Sequence, residues 1–210
     1  MKRWIPWLLA GFLILGLAGC RAHVGLRLDL DSLTLPLTGV TAPGGSVVFY
    51  LEQHVDLRQA EGIHLERVAW DYRARSEGAS LSFSLLISDT GSTESSQLYA
   101  RCTGLAAGAC NALRALGYAE APAYLEQAAL FLQDQVAGEV ERTGVEAPPQ
   151  AAQVLQRCVE KGEMWIIVKV ELPLPQFSSF DGQVVLEDPV LHLEGSADFG
   201  GLADALWPLL

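Results

Sequence analysis

From Val24 the chain alternates apolar and polar side chains, with Val24, Leu26, Leu28 and Leu30 on one side and Arg27, Asp29 and Asp31 on the other. Alternation of this kind is that of a half-buried strand. After Asp31-Ser32 the apolar positions move to Leu33, Leu35 and Leu37. A slip of one residue would turn the whole apolar set to solvent, so a bend or bulge is predicted at Asp31-Ser32. The turn residues Thr41-Ala-Pro-Gly-Gly45 lead into a second strand with Val47, Phe49, Leu51 and Val55 inward. A third begins with Ile63 and Leu65 and changes phase to Val68, Trp70 and Tyr72. A fourth sets Leu81, Phe83, Leu85 and Ile87 against the wet positions Ser82, Ser84 and Ser88. The Ser/Thr/Gly-rich run Ser88 to Ser96 predicts an exposed loop, and a short strand through Leu98 to Cys102 follows.

Between Gly104 and Gly162 the spacing turns helical. Leu105, Ala109, Leu113 and Leu116 make one stripe that Gly117 ends. Pro122 opens a second helix, carrying Leu125, Ala128, Leu132, Val136 and Val140 at spacings of three and four. Pro148-Pro149 opens a third, with Ala151, Val154, Leu155 and Cys158, closed by Gly162. β-periodicity then returns at full strength, with Met164, Ile166, Val168, Val170 and Leu172 set against Glu163, Trp165, Ile167, Lys169 and Glu171. That segment, Met164 to Leu174, predicts a central strand. A last strand through Val184 and Leu186 changes face at Asp188-Pro189 and continues with Leu191 and Leu193. The fold class expected is therefore α+β: a bent antiparallel β-sheet of about six to seven strands, as a sandwich or a half-barrel, with a three-helix insertion over about 104–162.

The first residues do not fit any of these patterns. Lys2 and Arg3 precede an apolar run of about fourteen residues, Ile5 to Ala18, interrupted by Pro6 and ending in Leu17-Ala18-Gly19-Cys20. The run is short of the roughly twenty residues a membrane-spanning helix needs. The ending resembles the lipobox of bacterial lipoproteins. The resemblance implies a signal peptide over 1–19, cleavage before Cys20, and a diacylglyceryl and fatty acyl (palmitate) modification of that cysteine. Residues 20–23 become anchor and short tether, and 24–210 a single domain. The implied location is the bacterial cell envelope, on the outer side of the cytoplasmic membrane or in the outer membrane, a transfer that Arg21 permits.

Removing residues 1–19 takes away Lys2 and Arg3 and no acid, so the charge passes from 14 − 25 = −11 to 12 − 25 = −13. Such acidity repels nucleic acid phosphates and anionic headgroups alike, which excludes nucleic acid as a partner. Membrane attachment then rests on the acyl chains.

Of the remaining cysteines, Cys102 and Cys110 would close a small loop as a disulfide in an oxidising compartment, leaving Cys158 unpaired. If the second and third strands formed a hairpin with position 54 opposite 64, Glu52, His54 and Asp56 would share a face with His64 and Glu66. Imidazole and carboxylate there would suit a zinc-like ion, although a solvated polar face explains the same residues. No metal and no cofactor are expected. Glu187-Asp188 with His192 is explained by strand alternation, and the sequence holds no nucleophile, zinc-protease or phosphate-loop motif. No enzyme is expected. Trp165 stands on the charged side of its strand and is expected to pack under a helix, while the apolar segment Leu202 to Leu210 is expected to dock on the core.

The expected function is that of a membrane-anchored envelope lipoprotein with a non-catalytic binding, adaptor or structural role. Its partners would be membrane lipid through acylated Cys20 and another envelope protein. The alternative is a carrier or chaperone holding a lipid or other apolar ligand between sheet and helices, an arrangement similar to the half-barrel lipoproteins of bacterial envelopes.

Overall fold

Alternating segments become strands, and their order was determined in a computed structural model, in which residues 21–38, 45–77, 80–104, 107–173 and 181–198 are described. The expected signal peptide over 1–19, Cys20, the expected turn at 41–44, Leu105 and the segment Leu202 to Leu210 lie outside these residues. The strands are β1 (Arg21–Asp29), β2 (Leu33–Thr38), β3 (Ser46–Asp56), β4 (Ile63–Glu77), β5 (Leu81–Ser88), β6 (Ser96–Thr103), β7 (Ala119–Glu120), β8 (Ala129–Val136), β9 (Glu139–Glu146), β10 (Glu163–Pro173) and β11 (Asp181–Asp198). Two α-helices stand among them, α1 (Ala107–Ala115) and α2 (Pro149–Lys161).

The strands form two open sheets. One runs β1-β11-β4-β9, with β2 also paired to β11, and the other runs β7-β6-β3-β10-β5-β8. Every pairing is antiparallel except the short β6–β7 contact. The sheets face each other across one apolar core. Aromatic pairs tie the layers: Trp70 of β4 meets Phe131 of β8 edge-on at 5.5 Å between ring centres, and Tyr72 of β4 meets Phe83 of β5 at 6.0 Å.

The phase shifts fall where alternation places them. β1 stops at Asp29, β2 starts at Leu33, and both pair with successive stretches of β11, whose own register breaks between Glu187 and Val190. In β4 the shift between Leu65 and Val68 is a bulge opposite Glu194/Gly195. β10 lies between β3 and β5, central as its pattern predicts, and buries both faces: Met164, Ile166 and Val168 inward, Trp165 and Ile167 outward.

Two expectations are corrected. The three-helix insertion is not present: the chain is mostly β, and the second predicted helix is the pair of strands β8 and β9. Leu125, Ala128, Leu132 and Val136 satisfy helical spacing, but Leu85 pairs with Leu132 and Leu86 with Leu130, leaving Phe131 as an extra bulged residue. The bulge turns period-two alternation (Ala129, Phe131, then Leu132, Val136) into something that reads like spacings of three and four. Gly138, at φ 83°, then passes the chain from one sheet to the other. The hairpin between the second and third strands is also absent, because β3 and β4 belong to different sheets.

α2 closes one end of the sandwich with Ala151, Val154, Leu155, Cys158 and Val159 in the core. Gly162, left-handed at φ 74°, ends it as its position predicts. α1 rests against β6, to which the Cys102–Cys110 disulfide joins it, with Leu113 buried and Leu116, beyond the helix end, exposed.

Candidate functional site

Outside the main core, a buried polar cluster lies on the outer face of the six-stranded sheet. There Val48 and Tyr50 of β3, Tyr99 of β6, Leu86 of β5 and Ile167 of β10 form a second apolar cluster, covered by the segment around Leu125. In its midst sits Glu52, only 1% exposed. A carboxylate taken out of water must be hydrogen-bonded. The Tyr124 hydroxyl donates to Glu52 Oε2 at 2.9 Å, the Tyr99 hydroxyl to the same oxygen at 3.0 Å, and the Ser92 N–H to Oε1 at 3.3 Å. The two phenols also touch each other at 3.1 Å. Burial pushes both phenols above their ordinary value, and contact with Glu52 adds to this, so at neutral pH both keep the protons they donate.

The loop from Asp89 to Ser95 seals the cluster. Gly91 lies flat on the Trp165 ring, where a Cβ would fall inside contact distance of both Trp165 and Glu52. Trp165 Nε1–H donates to Ser92 O at 2.9 Å, and His54 N–H donates to Ser95 O at 3.0 Å. Trp165 is thus buried, as expected of it, but under this loop rather than a helix. The loop is tied down at its start as well, since Arg157 of α2 donates to Asp89 at 2.7 Å and Lys161 to the Asp89 carbonyl at 2.8 Å. The hydrogen bond from Arg157 holds the Asp89 carboxyl below its ordinary value.

Beside this closed cluster the same face opens into a groove of about 550 Å³. Register defines its floor: Leu86 pairs with Leu130, and Ser84 pairs with Gln133 on one side and Lys169 on the other. Leu130 is 46% exposed, one of two large apolar side chains displayed among the described residues. The lining brings together the Ser82 and Ser84 hydroxyls, the Gln133 amide, the Lys169 ammonium, the Glu171 carboxylate and the side chains of Leu86 and Leu130, groups able to hold a ligand by hydrogen bonds, charge and apolar contact.

The opposite outer face differs. Arg67 pairs with Glu146 at 2.9 Å and Glu194 at 3.6 Å, Arg73 with Glu139 and Glu141 at 3.3 Å each, and Arg75 with Glu187 at 3.5 Å. His192 Nε2 lies 2.9 Å from Asp71, whose carboxyl is held low chiefly by the Gly144 N–H. That face is a lattice of cross-strand pairs in water.

The sequence-derived metal residues are separated. His54, 3.5 Å from Glu163 and with its ring tilted against that of Trp165 at 5.1 Å, and Asp56, bound to Arg58, lie on β3, whereas His64 and Glu66 lie on β4 of the other sheet, with Glu66 3.7 Å from His23. Among the described residues no group of three or more His, Cys, Asp or Glu side chains is placed to hold a metal. Cys158 is buried, and desolvation first, with Asp89 adding, pushes its thiol up to about 12, which removes it as a nucleophile at neutral pH. Sequence reasoning put Glu52 on a wet face and missed its burial. The available signal was Trp165 and Ile167 on the outer side of β10, which mark that face as covered.

No family model matches the chain, and no curated protein matches it. Solved structures do. TmCBM61, in complex with β-1,4-galactotriose, is 13% identical, with 85% of this chain and 92% of that chain covered and a TM-score of 0.25. A structure of the Gt strain of infectious bursal disease virus is 9% identical over 85% of this chain and 32% of that one, with a TM-score of 0.32. A family two carbohydrate esterase from Cellvibrio japonicus is 11% identical over 84% and 35%, at 0.21. Likeness at this level carries no argument about binding or activity.

Proposed function

We propose that this chain is an envelope lipoprotein, anchored through acylated Cys20, whose β-sandwich is a non-catalytic binding or adaptor module held close to the membrane. The observation that carries the binding role is the contrast between the two outer faces. One face has its charges satisfied in cross-strand pairs. The other displays Ser82, Ser84, Gln133 and Leu130 along an open groove, beside a loop pinned by Glu52 and Trp165. Rigid, preorganised donors beside a displayed apolar group suit recognition of a folded partner at low ordering cost. The anchor rests on the Leu17-Ala18-Gly19-Cys20 motif.

The carrier reading has less support. A ligand between sheet and helices would have to displace Leu155 and Cys158 of α2, both at 0% exposure within the main core.

Site-specific photo-crosslinking in intact cells tests the proposal. Photoreactive residues at Ser84 and Gln133 are expected to give discrete protein adducts that one at Arg73 does not. Equal adducts on both faces, or a stoichiometric lipid in native mass spectrometry of the purified protein, would overturn it in favour of an unspecific surface or a carrier.

A further inference from the structure

We infer that the groove face of the six-stranded sheet takes a second copy of this chain, related to the first by a two-fold axis; this rests on the reading of that face as the binding face. The inference starts from register. Val170 of β10 pairs with Phe83 of β5, and Phe83 with Asp134 of β8. These three make one row across the sheet with side chains turned away from the groove: Val170 and Phe83 lie in the main core, and Asp134 accepts from the Tyr72 hydroxyl of the other sheet. An outward row stands on each side of it. One is Gln133, Ser84 and Lys169; the other is Gln135, Ser82 and, one step further along the same register, Glu171. The two rows match residue for residue except on β10, where one carries a cation and the other an anion. A half-turn about the central row exchanges them. It sets Gln133 opposite Gln135, Ser84 opposite Ser82 and Lys169 opposite Glu171, each contact made twice, as an isologous interface requires.

The charges on this face are free to meet a partner. Lys169 and Glu171 lie about 7 Å apart along β10, yet they do not pair with each other; the Lys169 ammonium sits 6.0 Å from the centre of the Tyr50 ring. Among the residues whose side chains are described, Lys169 is the one lysine or arginine outside an ion pair. Two copies of so acidic a chain repel each other over most of their surface. Here alone an unpaired cation stands beside a carboxylate that its own copy leaves unpaired. The arginines of the opposite outer face are already satisfied within the chain. Side-chain length fits as well. The small Ser82 and Ser84 on the middle strand let two sheets approach, while lysine, glutamate and glutamine on either side are long enough to meet across sheets stacked about 10 Å apart. The exposed Leu130, one residue row away on β8, gives the contact an apolar margin.

The test uses the full chain in a density-matched non-ionic detergent, with self-association followed by sedimentation equilibrium. The parent is expected to dimerise. Lys169→Glu and Glu171→Lys each turn two opposite-charge contacts into like-charge ones and are expected to weaken the dimer at least about tenfold. Mixed in equal amounts, the two variants bring opposite charges together again and are expected to recover the parent's affinity to within about threefold, a recovery that misfolded chains would not show. Ser82→Trp changes no charge but holds the sheets apart, and is expected to weaken the dimer by at least as much. A parent still monomeric at about 1 mM, a dimer indifferent to either charge reversal or to Ser82→Trp, or a mixture that stays monomeric would overturn the inference. A monomeric parent whose position 84 photo-crosslinks to a different protein in cells would overturn the second copy and leave the binding face standing. A monomeric parent with no adduct there would overturn both.

Discussion

Ser32 and Asp188, 156 positions apart, hold each other: the Ser32 hydroxyl donates to Asp188 Oδ1 at 2.8 Å and accepts the Asp188 N–H at 3.1 Å. The Leu30 N–H donates to the neighbouring Pro189 carbonyl at 2.9 Å. Two bends that the sequence marks separately, at Asp31-Ser32 and Asp188-Pro189, are therefore one corner of the five-stranded sheet. Asp188 adopts φ 40° there, a conformation unfavourable for most side chains but tolerated by Asp and Asn. Asp188→Ala should cost about 1–3 kcal/mol, combining strain with the lost acceptor. Asp188→Asn should cost less than about 0.5 kcal/mol, and Ser32→Ala about 1 kcal/mol. Urea unfolding of the three variants checks the order, which a corner held by packing alone would not reproduce.

Gly91→Ala should act as a wedge. The added methyl must push aside either the Trp165 ring or the Glu52 carboxylate, so the Asp89–Ser95 loop lifts. Overpacking of this kind costs about 1–3 kcal/mol. The lifted loop also wets Trp165. A red shift in tryptophan emission together with a lower urea midpoint is the expected result.

Much of this architecture is legible in the sequence because its strands are half-buried. In β1, β2, β4 and β11 one face is wet, so alternation shows both the strand and the residue at which it changes phase. The six-stranded sheet hides more. Its outer face is covered around Glu52, so Trp165 and Ile167 break the alternation that would have marked a wet side, and Glu52 reads as one more surface carboxylate. Phe131 hides the identity of β8, since a bulge adds a residue and converts one period into another. The crossing of the chain from β3 to β4 between sheets has no local signature at all, because Leu57 to Gly62 would serve equally well as a hairpin loop. That is why His54 and His64 are expected on one face and stand on two sheets.

Glu52→Ala should be among the most damaging single changes to the outer face. It leaves the Tyr99 and Tyr124 hydroxyls and the Ser92 N–H without their acceptor, at a cost of roughly 2–4 kcal/mol. Glu52→Gln keeps one carbonyl oxygen and an amide that the phenols can accept from, so it should lose less than half as much. Equal losses in the two variants would mean that volume, not hydrogen bonding, is what the site requires.

Acid should loosen the link between α2 and the loop. Asp89 has a folded-state value held below its ordinary one by the Arg157 hydrogen bond, so its contribution is present above the unfolded carboxylate value, about 4, and is lost as pH falls through the folded one. Asp89→Asn should therefore lower the urea midpoint at pH 7, and the gap between variant and parent should close below about pH 4. A gap that stayed constant with pH would remove the charge from the explanation.

The anchor is the claim on which the proposed role depends, and the mass of the N-terminal peptide of the protein isolated from its native cells tests it most directly. The account predicts a chain beginning at Cys20 with a diacylglyceryl thioether on its sulfur. A peptide beginning at Met1, or an unmodified residue 20, would contradict it.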